Sequence, residues 1–361
     1  MKQLLSLLVL ICVLSGCAST NKATFLETSA TIYEANKKLE YLFKNPNEDV
    51  LLAMIDRHAS EAYVKNKLGV ADPKFAMKSA YISIGAIIGL ASFEHIVYSH
   101  SREVGDYWLS RYIFSHNNGT FALVDITLTK QDYRLVDVNN LSYRSSLVRF
   151  FAEYDQQIKS AGHEEAIAVV TEHLEKKESE LALEKYQQLP GEVKTLPIVH
   201  ETLFRALETC EGEQHQLFCE TLLKDSENVY HGLLKANLYR SMAQYQQALA
   251  EFEHLPDDIR SSPPILMEKA MVHAYLGHKR DAFGIALDGL YRNAGGAYGY
   301  LIMLQVALIS DEHDYTVELL NFMKETFAIQ FSEQQLADIA NSENFMKSTQ
   351  YAQFKQAYQS S

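Results

Sequence analysis

Three rhythms of apolar and polar residues follow one another along this chain, and each predicts a different architecture. The first is an apolar run from Leu4 to Leu14, broken only by Ser6. As a helix it reaches roughly 16 Å, about half of a ~30 Å hydrocarbon core, so it is too short to span a bilayer alone. The second rhythm is helical. Stretches 24–44 and 48–68 carry apolar residues at helical spacing (Leu51, Leu52, Ile55, then Ala59, Ala62, Tyr63), with Asn45-Pro46-Asn47 between them. Asp72-Pro73 then reads as an N-cap with proline in the first turn of a third helix. The third rhythm is alternation. From Phe93 to about Tyr143 the chain is rich in Val, Ile, Thr, Tyr and Phe, and FALVDITL places Ala122, Val124, Ile126 and Leu128 on one face with Asp125, Thr127 and Thr129 on the other. Asn118-Gly119 is a hairpin signal. Strands are expected near 93–99, 106–115, 120–129 and 133–141, as an antiparallel meander. From about Ser145 to the end the helical rhythm returns.

The opening run ends in Leu14-Ser15-Gly16-Cys17, preceded by the positive flank of Lys2. Charge, run length and small residues suit a secretory leader. Leu-Ser-Gly-Cys resembles the lipobox of bacterial lipoproteins. That resemblance implies cleavage after residue 16, a thioether-linked diacylglycerol and palmitate on Cys17, and a tether over 17–22. Two or three acyl chains make such attachment durable. Ala18 follows the cysteine where an aspartate holds inner-membrane lipoproteins. The implied address is therefore the outer membrane, facing the periplasm.

A repeat lies in the final helical stretch. Ser241–Pro256 and Tyr275–Leu290 align alanine on alanine, Ala248 with Ala282, and the same step reaches Thr316. Ala236 and Ala270 stand at that spacing too, and Phe218 lies one period before Phe252. The period of 34 residues resembles the tetratricopeptide repeat (TPR) family, whose helix pairs bury their apolar faces by stacking. The tryptophan and leucine of the ideal repeat are missing. In that family the first helix of each pair lines a binding groove, and the matching positions are Tyr230, Leu233, Asn237 and Arg240, then Met267, Met271 and Tyr275, then Tyr298, Leu301 and Gln305. Methionine and tyrosine suit an adaptable protein-binding wall, although such stripes also form cores. The family's basic clamp for a peptide carboxylate is absent, with Asn237 and Arg240 its only hint.

The helices and turn-rich strands before residue 144 are similar to the cystatin/NTF2-like α+β group, in which a curled sheet wraps a helix. The expected architecture is an α+β module over 23–144 and an all-α TPR-like solenoid over 145–361. Stretch 80–93 (AYISIGAIIGLASF) is apolar but short, with two glycines, so no second membrane segment is expected.

Charge narrows the partners. The chain has 33 basic and 46 acidic residues, net −13. That argues against nucleic acid or anionic lipid as the main partner. No HExxH, GxSxG, Walker A or GxGxxG run occurs. Gly295-Gly296 with Gly299 reads as a loop between helical hairpins. His95 and His100, five apart in a strand, fall on opposite faces, which disfavours a shared metal. Asp106, His116 and Asp125 are a trio that an enzyme of the α+β group would bring together in its cone. The mixed charges of Glu172–Lys185 read as a solvated helix face. Cys210 and Cys219 flank a break between helices; a disulfide and two buried free thiols both remain open. No cofactor and no metal site is expected. The expected function is a non-enzymatic scaffold or adaptor for other envelope proteins. The alternatives are hydrolysis or small-molecule binding in the α+β module, and a structural subunit of a secretion or pilus complex.

Overall fold

The computed structural model describes residues 29–55, 57–68, 85, 87–116, 121–141, 147–207, 212–227, 233–292 and 297–359. The leader, Cys17, the Asp72-Pro73 cap, Asn118-Gly119, Cys210, Tyr230 and Gly295-Gly296 lie outside them. The chain divides into two compact units, residues 1–114 with 122–165 and residues 115–121 with 166–361.

In the first unit, α1 (Ile32–Lys44), α2 (Glu48–Ala53) and α3 (Arg57–Leu68) precede β1 (His95–Val104), β2 (Tyr107–Ser115), β3 (Phe121–Thr129) and β4 (Leu135–Asn140). Thr31 caps α1, accepting from the Glu34 N–H at 3.2 Å. The single helix expected over 48–68 is broken near residue 55. There Ile55 bridges Leu135, and the Leu135 N–H donates to the Met54 carbonyl at 2.9 Å. The strands form one sheet in the order β1-β2-β3-β4, with β3 and β4 antiparallel. A bulge after Thr127 lets Leu128 face Leu135 while Thr127 faces Asp137.

One sheet face meets α1. Phe43 stands edge-on to Tyr112 and Phe114, both at 5.1 Å, and all three are fully buried. Burying each such ring contributes roughly 1.5–3 kcal/mol. Ile87 and Leu90, from the apolar stretch over 80–93, join this same core. Among the described residues no helix is long and apolar enough to cross a membrane. A polar seam crosses the core: Tyr112 donates to Asn36 Oδ1 at 2.6 Å, and Asn36 donates to Ser101 at 2.9 Å.

The opposite face, which carries the polar residues of the alternation, is buried as well. Asp125, Thr127 and Asp137 are buried there. Arg111 reaches Asp125 with two hydrogen bonds, Nε to Oδ1 at 2.8 Å and Nη2 to Oδ2 at 2.9 Å. Tyr63 of α3 donates to Asp137 at 3.0 Å. A fourth helix, α4 (Leu147–Tyr154), also packs on β4. It stays with the sheet, so this unit extends past residue 144 to Glu165.

The second unit is helical: α5 (Glu164–Glu175), α6 (Ser179–Gln188), α7 (Pro197–Ala206) and α8 (Glu213–Asp225) precede three packed hairpins, α9 (Leu233–Ser241) with α10 (Tyr245–Glu253), α11 (Pro263–Tyr275) with α12 (Lys279–Arg292), and α13 (Ala297–Ile309) with α14 (His313–Phe327), then a terminal α15 (Thr349–Gln359). These three hairpins recur at a fixed step. Their turns place Ala243, Gly277 and Asp311 in the left-handed region, at φ 55°, 76° and 55°. Each turn closes alike: Gln244 N–H to Tyr239, His278 N–H to His273 and Glu312 N–H to Ala307, all at 2.8–2.9 Å. This is the Schellman closure of a helix C-terminus. The residues matched at that step, Ala236 and Ala270 in first helices and Ala248, Ala282 and Thr316 in second helices, are all fully buried. Small side chains there let paired helices approach. Where α8 ends, the buried Lys235 ammonium donates to the Ser226 carbonyl at 3.0 Å, satisfying an orphan helix-end acceptor.

Candidate functional site

The wall expected from the first helices of the repeat divides into core and surface. Leu233, Met267, Met271 and Tyr298 are buried, which corrects their expected place on an open wall. For Met267, packing explains it. A Cβ built on Gly289 would lie 3.1 Å from the Met267 methyl, and one on Gly299 would lie 3.3 Å from it. Met267 therefore fills space that these two glycines leave between α11, α12 and α13. Gly299 is accordingly a helix-packing position in α13 and not part of a loop, since a Cβ there would also meet Leu290 Cδ1 at 2.6 Å. Of the expected row, Asn237 is exposed, and Arg240, Tyr275, Leu301 and Gln305 are half-buried.

These accessible residues are tied to groups that the sequence did not single out. Arg240 Nη1 lies 3.0 Å from Glu268 Oε2, whose carboxylate is buried. The carboxylate oxygen has no well-aligned hydrogen bond, so the contact is chiefly coulombic. Tyr275 stacks on Tyr245 with centroids 4.6 Å apart and planes 1° from parallel, and its hydroxyl accepts from Asn341 at 3.1 Å. Burial raises the Tyr245 phenol above its usual range and pushes the fully buried Tyr298 well above it. Tyr245 and Tyr298 are thus neutral near pH 7. The patch thus offers one guanidinium, aromatic faces and neutral amides, a mixture suited to a polar-aromatic contact.

The trio in the α+β unit is not assembled. Asp106 precedes β2 and His116 follows it, so the whole strand, roughly 30 Å, lies between them. Asp125 is held by Arg111 in the buried pair described above. His95 and His100 both lie in β1. On the helical face over 172–185, Lys176 and Glu172 pair at 2.6 Å with both side chains exposed. Cys219 is fully buried and disulfide-bonded, and the residue it pairs with lies outside the described residues. A crease of about 230 Å³ near the C-terminus is lined by Phe331, Leu336, Tyr351 and Phe354, with the Glu333–Lys355 pair at its rim. It falls below the ~300–1,000 Å³ of typical small-molecule pockets.

One cluster has no counterpart in the sequence expectations, which included no metal site. His273, His278 and Asp281 each bring a ligand-type atom within 4.8 Å of the other two. Five and eight residues along from His273, the others match no single helix face. The signal lay in the helix-ending Leu276-Gly277 between the two histidines.

Comparison of the chain with protein-family models, with curated proteins and with solved structures finds no match.

Proposed function

We propose that this chain is a lipid-anchored protein of the bacterial envelope, held at the outer membrane through Cys17, that recruits other envelope proteins with a TPR-like helical repeat. The observation that carries the reading is the fixed recurrence of three hairpins with identical turn closures, together with the accessible row Asn237, Arg240, Tyr275, Leu301 and Gln305 on their first helices. A stack of identical closures presents its first helices in register, so one extended surface is offered to a partner. Tethering raises the partner's effective concentration at the membrane surface. The polar-aromatic character of the row and the net negative charge both favour a protein partner over nucleic acid.

The anchor is tested by Cys17→Ala. The variant is expected to lose palmitate labelling and to leave the membrane fraction. Unchanged labelling and fractionation would remove the anchor from the account.

A further inference from the structure

Outside the row proposed above, the α11–α12 turn gathers side chains of a different chemistry. α11 ends in the Schellman closure, with Gly277 at φ 76°. The Gly277 N–H donates to Ala274 and the His278 N–H to His273, both at 2.9 Å. This closure brings together the side chains three residues before the helix end and two after it, a contact usually made by two apolar residues. Here both are imidazoles, with ring centroids 5.7 Å apart. α12 begins at Lys279, so Asp281 is the third residue of its first turn and comes back toward the same turn. The three ligand-type atoms lie within 4.8 Å of one another. Around a tetrahedral ion with bonds of about 2.0–2.2 Å, neighbouring ligand atoms stand about 3.3–3.6 Å apart. Side-chain rotations of about 1 Å would close the difference.

Two further observations bear on this turn. His273 Nδ1 is buried and makes no hydrogen bond, whereas a structural buried imidazole is normally held by one. The equivalent places in the other hairpins carry Tyr239, Gln244 and Gln247, or Ala307, Glu312 and Tyr315, which do not make a ligand set. In the α5–α6 turn, His173 and Glu178 occupy the two matching places and bond to each other at 2.6 Å.

We infer that His273, His278 and Asp281 form a site for one divalent transition-metal ion of the zinc class, with water completing the coordination. Two imidazoles and one carboxylate suit Zn²⁺, Co²⁺, Ni²⁺ or Cu²⁺ better than Mg²⁺ or Ca²⁺, which take oxygen ligands. His278 and Asp281 are exposed, so the ion would sit at the surface with its remaining positions open to solvent. Its structural effect would be to clamp the end of α11 to the start of α12.

The test is titration of the full chain with Co²⁺ followed by visible absorption, then displacement by Zn²⁺. The expected result is one equivalent bound with a tetrahedral absorption band that Zn²⁺ abolishes. His278→Ala and Asp281→Asn, both at exposed positions that the fold tolerates, should each weaken binding at least tenfold. His254→Ala, at an exposed histidine on another hairpin, should leave it unchanged. No Co²⁺ binding below about 100 µM would overturn the site. So would binding that His278→Ala and Asp281→Asn leave intact, or loss of binding in His254→Ala alone.

Discussion

Asp125→Asn tests the physical reading of the sheet unit most sharply. Arg111 and Asp125 are both 3% exposed and joined by two charge-assisted hydrogen bonds. The substitution keeps the side-chain volume but removes the charge and one of the two acceptors facing the guanidinium. Breaking a buried pair while leaving its partner charged costs about 3–5 kcal/mol. The amide retains one acceptor, so the low end, about 3 kcal/mol, applies. Trp108 is the sole tryptophan, and it packs at the edge of this unit's core. Its fluorescence in urea therefore reports on this unit. With a slope of roughly 2 kcal/mol per molar, the midpoint should fall by about 1.5 M. Replacing both residues, Arg111→Leu with Asp125→Leu, removes the charge and its counter-charge together. The double variant should then be less destabilised than the sum of the two single leucine variants by about 2 kcal/mol or more. Additive singles, or an Asp125→Asn cost under 1 kcal/mol, would refute the claim that this pair neutralises the buried polar face.

Two further outcomes follow from the helical unit. Ala243 occupies, at φ 55°, the turn position that Gly277 fills in the next hairpin. Ala243→Gly should relieve left-handed strain and stabilise the chain by about 0.5–1 kcal/mol, read as a rise in the thermal midpoint; a fall would contradict the turn assignment. His200 is fully buried, and burial lowers its basicity, opposed by the Lys194 backbone carbonyl, which accepts from the ring, and by Asp225, and reinforced by Lys235. Its folded pKa is depressed, so the unfolded chain binds the proton first as pH falls below about 6.5. Stability should decline from there down through the folded value and be fully present above pH 7. His200→Leu should flatten that part of the profile in urea titrations at pH 5 to 7.5, whatever its effect on stability at neutral pH; an unchanged slope would exclude His200 as the cause.

Much of this architecture was legible in the residues because it rests on local rules. Period-two alternation marks β3, and alanines at a fixed step mark the hairpins whose buried small residues set helix approach. What was not legible depends on partners distant in sequence. The alternation puts Asp125 and Thr127 on one face of a strand without saying what that face meets, and only partners such as Arg111 make it interior. Met267, Met271 and Tyr298 read as a wall because a stripe at helical spacing does not say which neighbour it faces; for Met267, the space left by Gly289 and Gly299 draws it inward. The break near Ile55 is imposed by its bridge to Leu135, against a continuous helical rhythm. The His273–His278–Asp281 cluster follows no helical or strand period, because a left-handed turn between two helices creates it.

Whether the first helices of the repeat carry the proposed partner surface is decided by placing a photo-crosslinking residue at Asn237 or Gln305 in intact cells. The same residue at Leu287 or Tyr291, exposed on the second helix α12, serves as the contrast. One common protein adduct from 237 and 305, absent from 287 and 291, is the predicted result. Adducts arising only from 287 and 291, or only from exposed positions of β1 such as Arg102, would contradict it.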